Sequence, residues 1–102
     1  MTPRTARRPV TRTAPLWQVV LLDDNDHSYG YVMEMLGKLF GHDLPEAYRM
    51  TVEVDTNGRV VVDTTSRERA ELKRDQIHAY GADWRILRSA GSMSAEIEPC
   101  DG

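Results

Sequence analysis

Apolar residues change their period several times along the chain, and each change marks an element. Val19, Val20, Leu21 and Leu22 form a short continuous run between Pro15 and a cluster of aspartates, the pattern of a buried strand. From Tyr29 the apolar positions become Tyr29, Val32, Met33, Leu36, Leu39 and Phe40, a spacing that gathers them on one helical face. Ser28 stands before that stretch as an N-cap, and Gly41 after it as a C′ residue. Asp43-x-x-Glu46, with Pro45 in the first turn, resembles a capping box. The helix it opens carries Ala47, Met50, Thr51 and Val54 on one face. Asp55-Thr56-Asn57-Gly58 reads as a turn into a strand from Arg59 to Thr64, with a β-branched centre at Val60, Val61 and Val62. Thr65-x-x-Glu68 opens a third helix that Gly81 should end. Its mostly charged surface suits a helix lying on the outside of the molecule and covering one side of a sheet. Met93, Ala95 and Ile97 then alternate with Ser94, Glu96 and Glu98, the period of a half-buried strand. The order β-α-α-β-α-β predicts a small single α+β domain: a three-stranded antiparallel sheet with helices packed on one side.

Composition refines this picture at the ends. Residues 1–15 are rich in Arg, Thr and Pro and offer little to bury, so they are expected to form a disordered extension. The folded domain is expected over 16–99 and a short tail over 100–102. Arg4, Arg7, Arg8 and Arg12 lie in the extension, where there is no acid. The remainder holds nine basic against sixteen acidic side chains, a net charge of about −7. An acidic domain is a poor partner for phosphate backbones, so nucleic acid is not expected. No apolar run approaches the roughly 20 residues that cross a bilayer, and without an n-region followed by an apolar h-region no secretory signal is expected. A single cysteine, Cys100, excludes an intramolecular disulfide and fits a reducing compartment. The expected setting is cytoplasmic, and the expected state a monomer.

Little here suits catalysis. Cys100 lies in the tail, no serine stands in a Gly-x-Ser-x-Gly elbow, and His27, His42 and His78 lack metal-ligand spacing. Each histidine is expected to be solvated. Asp24, Asp26 and Ser28 alternate as in a calcium loop, but the glycine comes one place late, at Gly30. Met35 stands where a bidentate Glu is required. No enzyme, metal or cofactor is expected. The loop Asp23-Asp24-Asn25-Asp26 has a different use: several acceptors at a strand end can surround an ammonium, which has only donors. Beside them Tyr29, Val32, Met50, Thr51 and Val54 describe a small apolar socket, or equally an ordinary core. A free peptide N-terminus, an ammonium joined to one side chain, matches the first description.

The blocks Val19-Val20-Leu21-Leu22-Asp23-Asp24-Asn25, Tyr31-Val32-Met33-Glu34-Met35-Leu36, Lys38-Leu39-Phe40-Gly41 and Thr51 through Val62 resemble the ClpS family. Ala70-Glu71-Leu72 and the closing Glu96-Ile97-Glu98-Pro99 continue the match, which runs from about Trp17 to Pro99. These are adaptors of the ATP-dependent Clp protease. The resemblance implies recognition of proteins that begin with a destabilising residue, typically Leu, Phe, Tyr or Trp, and their delivery to a Clp AAA+ unfoldase. It implies docking on the unfoldase N-domain, with residues 1–15 as the engaging arm. It also implies that Asp23, Asp24, Asn25 and Asp55 hold the α-amino group and that His27 lines the site. Tyr29 falls at the gate that screens out β-branched first residues. Val32, Thr51 and Val54 fall on the side-chain pocket, joined by Met50 from the helical spacing. The chain departs from the family pattern in exchanging Asn and Asp at the ends of the clamp stretch. Asp55 stands in place of a histidine, and Thr51 in place of a usual Met. Those departures keep a second reading open: a ClpS-like regulatory module that docks on an unfoldase without reading N-termini.

Overall fold

The computed structural model describes residues 15–85 and 91–100. The expected extension lies outside these residues except for Pro15, and the expected tail except for Cys100. Six elements follow the predicted order: β1 (Trp17–Leu22), α1 (Tyr29–Phe40), α2 (Leu44–Asn57), β2 (Arg59–Thr65), α3 (Arg67–His78) and β3 (Ser94–Pro99). The three strands form one antiparallel sheet in the order β2-β1-β3.

The central position of β1 explains its unbroken apolar run. Val19 and Leu21 face the core with Val60 and Val62 of β2 and Ala95 of β3. Val20 points the other way and is also fully buried. The guanidinium of Arg59 crosses from β2 over β1 to Glu98 of β3, 2.8 Å away, with Glu96 at 3.8 Å. That bridge lies on the face that carries Val20, and the long aliphatic stem of an arginine can cover apolar surface. The ladder shifts register between Val19 and Val20, leaving Val62 as the extra residue of a β-bulge. Against the inner face pack Met35 and Leu36 of α1, Val54 of α2 and Ile77 of α3. Burying side chains of this size contributes about 1.5–3 kcal/mol each.

The caps show why the helices start and stop where they do. Ser28 accepts from the Tyr31 N–H at 3.2 Å, and Gly41 ends α1 in the left-handed region at φ 74°. Asp43 accepts from the Glu46 N–H at 3.0 Å to open α2. Two boundaries differ from expectation. The segment Asp55-Thr56-Asn57 is helical rather than a turn, and Gly58 alone reverses the chain at φ 86°. The Gly58 N–H closes on the Val54 carbonyl at 2.9 Å. Turn-forming side chains disfavour a helix only weakly, and burial of Val54 together with the glycine cap outweighs them. The cap of α3 is Ser66, not Thr65, because Thr65 is still paired with Trp17 in the sheet. That helix stops at His78, and Gly81, at φ 107°, turns the following loop instead. α3 presents Ala70, Lys73 and Ile77 inward. The Lys73 ammonium donates to the Leu39 carbonyl in the last turn of α1 and lies 5.4 Å from the centre of the Phe40 ring. A cation is favoured at that end of the helix dipole.

Candidate functional site

The acidic loop leaves the end of β1 beside the turn between α2 and β2. The Asp23 N–H donates to the Gly58 carbonyl at 3.0 Å, and Leu22 pairs with Arg59. Asp55 lies three residues before Gly58, at the C-terminal end of α2. Residues 23 and 55, distant in sequence, are thereby brought to one corner of the fold. Tyr29 completes the corner from the first turn of α1: its hydroxyl donates to Asp55 Oδ2 at 2.6 Å. The hydrogen bond to Asp55 pushes the Tyr29 phenol above its ordinary range, and the Asp23 carboxylate adds to the shift. On its other side the Tyr29 ring meets Tyr48 edge-on, with centroids 6.3 Å apart.

Asp24 is differently placed. Its carboxylate accepts from the Asp26 N–H at 2.9 Å and lies 2.8 and 2.9 Å from His27 Nδ1. The opposite ring nitrogen, Nε2, lies 2.7 Å from the Gly91 carbonyl. The His27 side chain is only 3 % exposed and packs on Tyr31 at 4.5 Å. It is therefore not the solvated histidine expected from the sequence. His42 departs in the same way, its Nε2 lying 2.8 Å from the Val62 carbonyl. Imidazole rings that reach backbone acceptors are fixed by them rather than by water.

The proposed socket residues are buried. Val32, Met50 and Val54 belong to the core, and the Thr51 hydroxyl donates to the Ala47 carbonyl at 2.7 Å. The Thr51 hydroxyl is thus satisfied within its own helix. Asn25 is exposed on the loop. Asp23, Tyr29 and Asp55 thus form one group, Asp24 and His27 a second, and Val32, Met50, Thr51 and Val54 line the packing beneath.

Two residues near this corner, Asp83 and Arg85, carried no signal in the sequence. The loop after α3 folds back on the start of α1. Asp83 is 1 % exposed, and its carboxylate accepts from the Ser28 N–H at 2.6 Å and the Arg85 N–H at 3.0 Å. Burial alone would raise this carboxyl; the hydrogen bonds from Ser28 and Arg85 outweigh it and hold the pKa at about 2. Arg85 also bonds Glu34 at 3.0 Å and crosses Gly30 so closely that a Cβ there would meet its Nε at 3.0 Å. Tyr31 donates to the Gly81 carbonyl. Only Tyr48 could have been found from spacing, since it precedes Thr51 by one helical turn. Among the described residues no group of three or more His, Cys, Asp or Glu side chains is gathered to hold a metal, and no helix is long and apolar enough to cross a membrane.

The site is thus an acidic corner beside the α1–α2 pair of a small α+β domain. The profile of the family described as "ATP-dependent Clp protease adaptor protein ClpS" matches residues 12–84. The ClpS adapter protein of Mycobacterium leprae is 36 % identical over 80 residues, covering 78 % of this chain and 73 % of the relative. That of Mycobacterium tuberculosis is 34 % identical over 80 residues, covering 78 % of each. Among solved structures, that of Agrobacterium tumefaciens ClpS2 bound to L-phenylalaninamide superposes with a TM-score of 0.73 at 22 % identity. The superposition covers 85 % of this chain and 99 % of that one. The chain belongs to the ClpS family, the adaptors of the ATP-dependent Clp protease.

Proposed function

We propose that this adaptor binds the free first residue of a substrate protein and presents the substrate to a Clp AAA+ unfoldase. The carrying observation is that Asp23 and Asp55 meet at one corner beside Gly58, with the Tyr29 hydroxyl on Asp55, at the edge of helix packing lined by Val32, Met50, Thr51 and Val54. An α-ammonium placed there would donate charge-assisted hydrogen bonds to these carboxylates and to the Asn25 amide. Its own side chain would enter between α1 and α2. Asp24 would act with His27 to set the loop's shape as well as its charge. L-phenylalaninamide, the ligand of the similar Agrobacterium protein, has this form: a free ammonium beside one aromatic side chain. The preferred first residues are accordingly bulky and hydrophobic or aromatic. In this reading the chain acts as a cytoplasmic monomer without catalysis or cofactor, docks on the unfoldase N-domain, and uses residues 1–15 during hand-over.

The second reading, a regulatory module that ignores N-termini, is favoured by the closed state of the site, in which Tyr29 occupies Asp55 and the pocket walls are buried. Calorimetry with L-phenylalaninamide and its N-acetyl derivative separates the two. The free amine is expected to bind about tenfold or more tightly, the value of a hydrogen bond to a charged group. Equal binding of the two compounds would sink the adaptor reading and leave the regulatory one.

A further inference from the structure

Tyr48, Thr51 and Asp55 are spaced three and four residues apart and so share one stripe of α2. The Tyr29 side chain reaches both ends of that stripe. Its ring meets Tyr48 edge-on, and its hydroxyl is bonded to Asp55. The side chain consequently lies over the turn of α2 that carries Thr51, which is 1 % exposed although it belongs to the pocket wall. Tyr29 itself is 40 % exposed and Tyr48 53 %, so this cover sits at the surface and can swing outward without disturbing the core. The cover and the clamp share an atom group, the Asp55 carboxylate. An arriving ammonium and the Tyr29 hydroxyl are both donors to it, and the hydroxyl already holds Oδ2.

Resting on the adaptor reading, we infer that Tyr29 is a latch: bonded to Asp55 and backed by Tyr48, it closes the side-chain pocket, and the α-ammonium of the ligand opens it by displacing the phenol from that carboxylate. Opening is thereby coupled to the presence of a free amine. A ligand whose side chain fits but whose nitrogen is acylated has nothing to release the latch with. Asp55 has two roles, and Tyr29 with Tyr48 determines specificity for the amine as well as for shape.

The latch makes a prediction opposite in sign to a contact residue. Tyr29→Phe keeps the ring and removes the competing donor. Its dissociation constant for L-phenylalaninamide should fall about three- to tenfold, the worth of one exposed hydrogen bond. Unchanged or weaker binding would overturn the inference. A ligand-free measurement stands apart from the adaptor reading. In Asp55→Ala the Tyr29 phenol, followed by its ring NMR resonances, should titrate at lower pH than in the wild type, and the Tyr29–Tyr48 ring contact should weaken. A Tyr29 that titrates identically with and without Asp55 removes the latch whatever the peptide result. Should N-acetyl and free phenylalaninamide bind alike while the Asp55→Ala shift is seen, the adaptor reading fails and the Tyr29–Asp55 bond remains as closure alone.

Discussion

Ser28 caps α1 with its hydroxyl, yet its own N–H is satisfied by Asp83, a carboxylate 55 residues further along the chain. The first turn of α1 contains no acidic residue. Asp83 therefore supplies from another segment the negative charge that the positive end of the helix dipole favours. The sign of its pH dependence follows from its depressed pKa. With about 2 in the folded state against 3.8 as its ordinary value, Asp83 stabilises the fold fully above pH about 4, and that contribution is lost as pH falls through about 2. Because only a surface loop covers it, the contribution is expected to be about 1–2 kcal/mol. Urea denaturation should show wild-type stability declining over that acid range and a smaller decline in Asp83→Asn. Parallel curves would mean that the charge of Asp83 contributes nothing. The same substitution weakens the tie between this loop and the Ser28 N–H at the start of α1, so its effect belongs to stability.

At the scale of elements, the caps were the most legible feature of the sequence. Ser28, Gly41 and Asp43 act as their residue types predict, since cap chemistry is local and needs only a few neighbours. The boundaries that moved were those where tertiary structure competes with local preference. Thr65 is claimed by the sheet, leaving Ser66 to cap α3, and α2 persists through a turn-like sequence until Gly58. The site divides similarly. Asp23, Tyr29 and Asp55 could be named from matched blocks of sequence, whereas Asp83 and Arg85 sit in an irregular loop whose placement no periodicity encodes. The glycine that ends α2 offers a clean test. Nothing lies within 4 Å of a Cβ added at Gly58, so Gly58→Ala is penalised only by its φ of 86°. It should cost about 1 kcal/mol, read as a lower urea midpoint with an unchanged m-value. No loss would mean that the turn relaxes away from the left-handed region.

For the whole molecule, recognition and delivery are expected to reside in separate parts of the chain. The proposed clamp and latch, like the core, lie within residues 15–100, and the four arginines of the first fifteen residues lie outside the described structure. Removing residues 2–15 should leave L-phenylalaninamide affinity unchanged while slowing degradation of a tagged substrate by the cognate Clp machine. A drop in affinity would show that the extension contributes to the site. Within the domain, the two residues of the proposed clamp are both set by Gly58: the Asp23 N–H is bonded to the Gly58 carbonyl, and Asp55 is three places before it. The geometry of the site is thus written as a count. Inserting or deleting a single residue between Asp55 and Gly58 would swing Asp55 about 100° around the helix axis, away from Asp23 and Tyr29. Substitution can retune this corner one side chain at a time, but a change of chain length abolishes it in one step.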